Sequence, residues 1–147
     1  MSRFVMVSRK SMTEALEKAG FTPFQTGGRS AELGYFRCHG LDPNIQIKIY
    51  TSLPADRSVA RGCGEDAIRV VAVFDDGAKN FPICKLPRVH RTGSEAAVIE
   101  RTLERAREAW RFVNLWLRTP YAERKFLPRP GEKEEAREAR QRQGERT

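Results

Sequence analysis

Histidine and cysteine, which often carry catalysis or bind transition metals, are scarce in this sequence. Its 147 residues include two histidines and three cysteines, and the cysteines form no Cys-x-x-Cys pair of the kind found in usual zinc sites. We expect free thiols in a reducing compartment, the cytoplasm, and neither a metal nor a cofactor. The alternative, a site made by convergence of distant residues, stays open for Cys38, His39, Cys63, Cys84 and His90.

Long apolar runs are also missing. No stretch approaches the roughly 18 apolar residues that span a bilayer, and the first residues lack the charged and then apolar pattern of a secretory leader. We therefore expect a protein that neither spans a membrane nor is secreted.

Catalytic signatures are likewise lacking. Six of the 19 acidic residues stand in predicted turns or loops, where acids are common, and these six are Asp42, Asp56, Glu65, Asp66, Asp75 and Asp76. The glycine-rich stretches at residues 27–30 and 62–64 have no Walker-type lysine after them. A small enzyme is therefore the least favoured of three functions that we consider.

Positive charge is what the sequence has in excess. Lysine and arginine total 27 against 19 acidic residues, for a net charge of +8 and an isoelectric point near 9.9. Residues 129–147 hold six bases and five acids, a net of +1, so the other +7 belongs to residues 1–128. Because basic surfaces attract polyanions, this predicts a nucleic-acid partner for the folded body.

The longest periodic stretch predicts a helix over residues 92–117. Thr92 or Ser94 can cap its start, and Pro120 disfavours helix at and beyond Thr119. The predicted core stripe recurs at steps of three and four residues. It consists of Ala96, Ile99, Leu103, Ala106, Trp110, Val113 and Leu117.

The residues before this helix predict an antiparallel sheet. A short helix is predicted at about residues 12–19, with Ser11 as its N-cap and Gly20 as the residue that ends it. Strand-like segments follow, and Ile45, Ile47 and Ile49 alternate most clearly, facing the core. Two prolines push the last strand to an edge or a bulge. The predicted strands cover residues 22–26, 32–39, 44–50, 68–74 and 81–90.

These elements predict one α+β domain over residues 1–128. Its four- to five-stranded antiparallel sheet has a short N-terminal helix and a long C-terminal helix packed on one face. Residues 129–147 form a charged tail, either disordered or a solvated helix. Residues 4–7 are an edge strand or a strap over the core.

The sheet face opposite the helices combines aromatic and basic side chains. Lys48 and Tyr50 point away from the isoleucines of their strand, and the loop after them carries Arg57 and Arg61. Rings that stack on bases and cations that hold the backbone are typical of proteins that bind single strands. The predicted nucleic-acid-binding residues are Tyr35, Arg37, Lys48, Tyr50, Arg57, Arg61, Arg69, Lys85 and Arg88.

A second apolar row lies on the last turns of the long helix, formed by Ala109, Phe112, Leu115 and Trp116. This row predicts a homo-oligomer interface, with a dimer favoured. The alternative is cover from within the chain, by residues 120–128 or 4–7.

The function predicted from these patterns is non-catalytic binding of nucleic acid, with single-stranded DNA or RNA favoured. The alternative is a structural or assembly subunit that docks through the apolar end of its long helix. A small enzyme is third.

Overall fold

The computed structural model describes residues 5–24, 32–38, 42–51 and 67–131. Within these ranges the chain forms an α+β fold that confirms the predicted class. Two α-helices pack on one face of an antiparallel sheet and share a single apolar core with it. No helix in the described ranges is long and apolar enough to cross a membrane.

The first helix, α1, spans Arg9–Lys18 and starts three residues before the predicted position. Ser8 rather than Ser11 caps it, because the Ser8 hydroxyl accepts a hydrogen bond from the Ser11 N–H at 3.0 Å. Gly20 follows the helix at a φ of 97°, as predicted for the residue that ends it. Met12 and Leu16 are its buried residues.

The sheet is an antiparallel meander of five strands with a sixth, two-residue strand. The strands are β1 (Phe21–Phe24), β2 (Glu32–Cys38), β3 (Ile45–Thr51), β4 (Ala67–Asp75), β5 (Asn80–Lys85) and β6 (Val89–His90). Ile45, Ile47 and Ile49 are fully buried against the helices, as their alternation predicts. Their side is the core face of the sheet, and the other side is called the second face below.

Two prolines shape the last part of the sheet. The predicted strand over residues 81–90 is split into β5 and β6, which both pair with β4. The β4–β5 register shifts beside Pro82, and Pro87 lies between the two strands. Since proline has no N–H to donate, regular pairing cannot continue through either position.

The second helix, α2, spans Glu95–Arg118, and the Ser94 hydroxyl caps it by accepting from the Ala97 N–H at 3.1 Å. Its buried side is turned around the helix axis relative to the predicted stripe, because Trp110 and Leu117 are only half-buried while Trp116 lies in the core. The polar Thr102 is fully buried, and its hydroxyl donates to the Val98 carbonyl at 2.8 Å. The buried residues of α2 are Val98, Thr102, Leu103, Ala106, Ala109, Phe112, Val113 and Trp116.

The chain after α2 folds back over the helix end and the edge of β5. A 3₁₀ helix spans Tyr121–Phe126, and the Arg129 guanidinium donates to the Ile83 carbonyl at 2.7 Å. Gly131 has a φ of 81° and lies so close to the Pro87 ring that a Cβ atom would overlap it. The described chain therefore stays in contact with the domain as far as residue 131.

The N-terminal residues act as a strap rather than a strand. The Val5 N–H donates to the Arg91 carbonyl at 2.9 Å, and Val7 is buried in the core. This selects the second of the two predicted alternatives for residues 4–7, of which the structure describes residues 5–7.

Candidate nucleic-acid interface

Strand pairing brings six of the nine predicted binding residues to neighbouring positions on the second face. Tyr35 and Lys48 are partners across β2 and β3, and Lys48 is in turn the partner of Val71. Because directly opposed residues of an antiparallel ladder share a face, the register defines the members of that face. The predicted residues that it gathers are Tyr35, Arg37, Lys48, Tyr50, Arg69 and Lys85.

The six residues fall into three adjacent rows across the sheet. One row joins Phe24, Tyr35, Lys48, Val71 and Lys85 in register. The side chains of Lys48, Arg69 and Lys85 are among those that the structure describes, and the other three residues are assigned by backbone register alone. Aromatic and basic positions therefore share this row, with the apolar Val71 between the two lysines.

Acidic residues occupy only the ends of the paired positions on this face. Glu32 is the partner of Tyr50 at the start of β2, and Asp75 closes β4. The Asp75 carboxylate accepts from the Gly77 N–H at 2.9 Å and so serves the turn after the strand. Four basic positions against two acidic ones leave the described part of the face with an excess of positive charge.

The centre of the second face is more closed than alternation alone suggests. Gln46 is 6% exposed although it points away from the isoleucines, and its β4 partner Val73 is equally buried. Val71, between Lys48 and Lys85, is 5% exposed. Of the two lysines on this face, Lys85 on β5 is exposed, whereas Lys48, in the middle of the central strand β3, is half-buried.

Arg69 has a structural contact within the fold. Its guanidinium donates to the Leu86 carbonyl at 2.6 Å, and the side chain is half-buried. This bond connects β4 to the irregular stretch between β5 and β6.

Of the three remaining predicted binding residues, only Arg88 is described, and it lies away from this surface. Arg88 lines a separate cavity of about 290 Å³ between β6 and α2, together with His90, Arg101 and Arg105. Arg101 in that cavity donates to the carbonyls of His90 and Thr92. Arg57 and Arg61 lie outside the described residues.

The second apolar row of α2 is largely covered within the chain. Ala109, Phe112 and Trp116 belong to the core, whereas Leu115 is 42% exposed. The Arg124 guanidinium lies 3.9 Å from the Trp116 ring centre, and that of Arg129 lies 5.2 Å from the Phe112 ring centre. Residues after Pro120 contact two of the four residues of this row: Arg124, within the predicted segment 120–128, contacts Trp116, and Arg129, just beyond that segment, contacts Phe112.

Within the described residues, no three His, Cys, Asp or Glu side chains are grouped so that they could hold a metal ion. Cys84 is buried, and that burial raises the pKa of its thiol to about 12, although the Ala72 backbone and Arg129 oppose the shift. A thiol with so high a pKa is a poor nucleophile at neutral pH. His90 is exposed, while His39, Cys63 and the side chain of Cys38 lie outside the described part.

An aromatic and basic cluster after α2 was not predicted as a binding site. Tyr121 is 83% and Phe126 is 75% exposed, and Arg124 and Lys125 stand between them in the 3₁₀ helix. The signal in the sequence is the pair of rings that flank two bases directly after Pro120. The sequence predicts for this segment only that it covers the end of the long helix.

Comparison with family models, curated proteins and solved structures finds no match to this chain. The proposed function therefore depends on the geometry and chemistry of the surfaces described above.

Proposed function

We propose that this protein binds nucleic acid without catalysing a reaction, that it prefers single strands, and that the second face is its contact surface. The observation that carries this proposal is the register that aligns Tyr35 and Tyr50 with Lys48, Arg69 and Lys85. The net charge of +8 adds a general attraction for polyanions.

Each type of side chain has a separate role in the proposal. Lys48 and Lys85 reach phosphates, because an ammonium on a long flexible stem can follow an irregular backbone. Tyr50 stacks on an unpaired base, with Tyr35 beside its row. Val71 and Val73 lie on the same face but are buried, so they do not contact the ligand.

The test compares labelled single-stranded and duplex oligonucleotides by fluorescence anisotropy at two salt concentrations. Wild-type protein should bind the single strand more tightly. Lys85→Ala and Lys48→Ala should each weaken binding and lower the salt slope by about 0.7 per charge removed. Tyr50→Ala should weaken binding by about 5- to 150-fold and leave the slope unchanged, because stacking releases no counterion.

Lys10→Ala is the matched control, because Lys10 is exposed on α1, which packs on the core face. It removes the same charge from the other side of the sheet. If the second-face variants bind no more weakly than Lys10→Ala, the second face is only a solvated surface. Equal affinity for single strands and duplex would reject the preference for single strands.

The second candidate function is that of an assembly subunit, with a homodimer favoured. The observation in its favour is exposed apolar surface near the end of α2, at Leu115, Tyr121 and Phe126. Such a subunit should form a stable oligomer and bind nucleic acid without a preference for single strands. Light scattering of wild type and Leu115→Glu tests it, and a wild type that is monomeric at micromolar concentration rejects it.

A further inference from the structure

A cleft lies between the edge of the sheet and the 3₁₀ helix. Its volume is about 420 Å³, within the range of roughly 300–1,000 Å³ found for small-ligand sites. Three aromatic and three basic side chains line it, and no acid is among the described lining residues. They are Phe81, Trp116, Tyr121, Arg124, Lys125 and Arg129.

The three rings differ in how much of their surface a ligand can reach. Trp116 is 7% exposed, and Arg124 lies over its ring. Phe81 stacks on Phe74 with 5.1 Å between ring centres, and it is 37% exposed. Tyr121, at 83% exposed, presents the most open ring of the cleft.

The two arginines are held in place by backbone carbonyls. Arg124 Nε donates to the Thr119 carbonyl at 3.0 Å, and an Arg129 nitrogen donates to the Ile83 carbonyl at 2.7 Å. Each bond uses one of five donors, so both guanidinium groups keep donors for an anion. Since their side chains are already ordered, less conformational entropy is lost when a ligand binds.

An open ring beside ordered cations suits a ligand that is both planar and anionic. A nucleotide has these two properties in one unit, with a base for Tyr121 and a phosphate for Arg124 or Lys125. An acidic peptide would satisfy the cations but would leave the ring without a planar partner. The observations therefore favour a nucleotide.

We infer that this cleft binds one unpaired nucleotide of the single strand that the second face is proposed to bind. The inference rests on that proposed function and adds a second contact site to it. β5 connects the two sites, because Lys85 lies on the second face, whereas Phe81 is the partner of Phe74 on the core face. A strand that crosses the β5 edge contacts both.

The experiment compares Tyr121→Ala with Phe126→Ala. Both residues are exposed rings of the same 3₁₀ helix, but only Tyr121 lines the cleft. The probe is a labelled oligodeoxythymidine of about 15 nucleotides, long enough for one single-strand site. Anisotropy is measured with the full chain, with thymidine monophosphate as a competitor and a labelled polyglutamate peptide as a second probe.

Tyr121→Ala should lower the affinity for the strand by about 5- to 150-fold with an unchanged salt slope. Phe126→Ala should bind like wild type, and Lys125→Ala should lower the slope by about 0.7. Thymidine monophosphate at millimolar concentration should not displace the strand. Because Tyr121 is exposed, melting temperatures of the two ring variants should match that of wild type.

The two levels of the proposal fail in different ways. If wild type binds the strand and Tyr121→Ala binds equally well, the cleft inference is rejected and the proposed function stands. If wild type binds no strand, both are rejected. Displacement by the free mononucleotide, or tighter binding of polyglutamate that depends on Tyr121, would assign the cleft to a different ligand and overturn the inference.

Discussion

Replacement of Trp116 by alanine should strongly destabilise the fold, whereas the same change at the preceding residue should not. Trp116 is 7% exposed and lies 6.3 Å from Phe81 between ring centres, with the Arg124 guanidinium 3.9 Å from its own ring centre. Truncation of a buried tryptophan costs about 3–5 kcal/mol. Loss of the cation–π contact is part of that cost, at about 0.5–2 kcal/mol.

The expected shift can be measured directly. In a chain of this size, 1 kcal/mol corresponds to about 2–4 °C in melting temperature, so Trp116→Ala should melt about 6–20 °C below wild type. Leu115→Ala, at a position 42% exposed, should change the free energy of unfolding by no more than about 0.5 kcal/mol. Guanidinium denaturation followed by circular dichroism gives both free energies.

One result would refute this reasoning. If Trp116→Ala is as mild as Leu115→Ala, and if wild type is a dimer that the variant dissociates, then Trp116 acts at an interface between chains. That outcome would restore the sequence-based prediction for the second apolar row. It would also mean that Arg124 does not stabilise the helix end within one chain.

Two further predictions concern the C-terminal segment and the buried thiol. Deletion of residues 132–147, which contain two alanines as their only apolar residues, should leave the melting temperature unchanged. Deletion of residues 129–147 should lower the free energy of unfolding by about 2–4 kcal/mol, because it also removes the contacts of Arg129 with the Ile83 carbonyl and the Phe112 ring. Equal melting temperatures for the two truncations would show that Arg129 contributes nothing. Burial raises the pKa of the Cys84 thiol from 9.0 to about 12. Above pH 9 the folded protein therefore keeps a proton that the unfolded chain loses, and the contribution of this thiol to the free energy of unfolding falls by about 1.4 kcal/mol per pH unit. The difference in unfolding free energy between wild type and Cys84→Ala should shrink accordingly from pH 9 to pH 10, and a constant difference would contradict the assigned burial.

The order and type of the elements followed from local pattern. The alternation of Ile45, Ile47 and Ile49 depends only on the two-residue period of a strand, and the structure buries all three. Gly20 and Pro120 mark helix ends because of their own backbone restrictions, which act wherever the residues occur. The start of each helix was harder to predict, because Ser8 and Ser11 compete for the first cap and Thr92 and Ser94 for the second.

The alternation of side chains along a strand predicts which residues share a face of the sheet. Alternation placed Lys48 and Tyr50 on one face, and the strand pairing places Tyr35, Arg69 and Lys85 beside them. Alternation does not indicate how much of that face is accessible to solvent. Accessibility depends on the neighbours that cover each position, and these are distant in sequence.

The sequence by itself therefore determined the succession of helices and strands, the core face of β3 and the irregular edge at Pro82 and Pro87. Each of these depends on the conformational limits of a residue and its immediate neighbours. The tertiary structure alone decided which side of α2 is buried. The last turns of α2 are apolar almost all round, so contact with the sheet and with the segment after Pro120 selects Trp116 for the core and leaves Leu115 exposed.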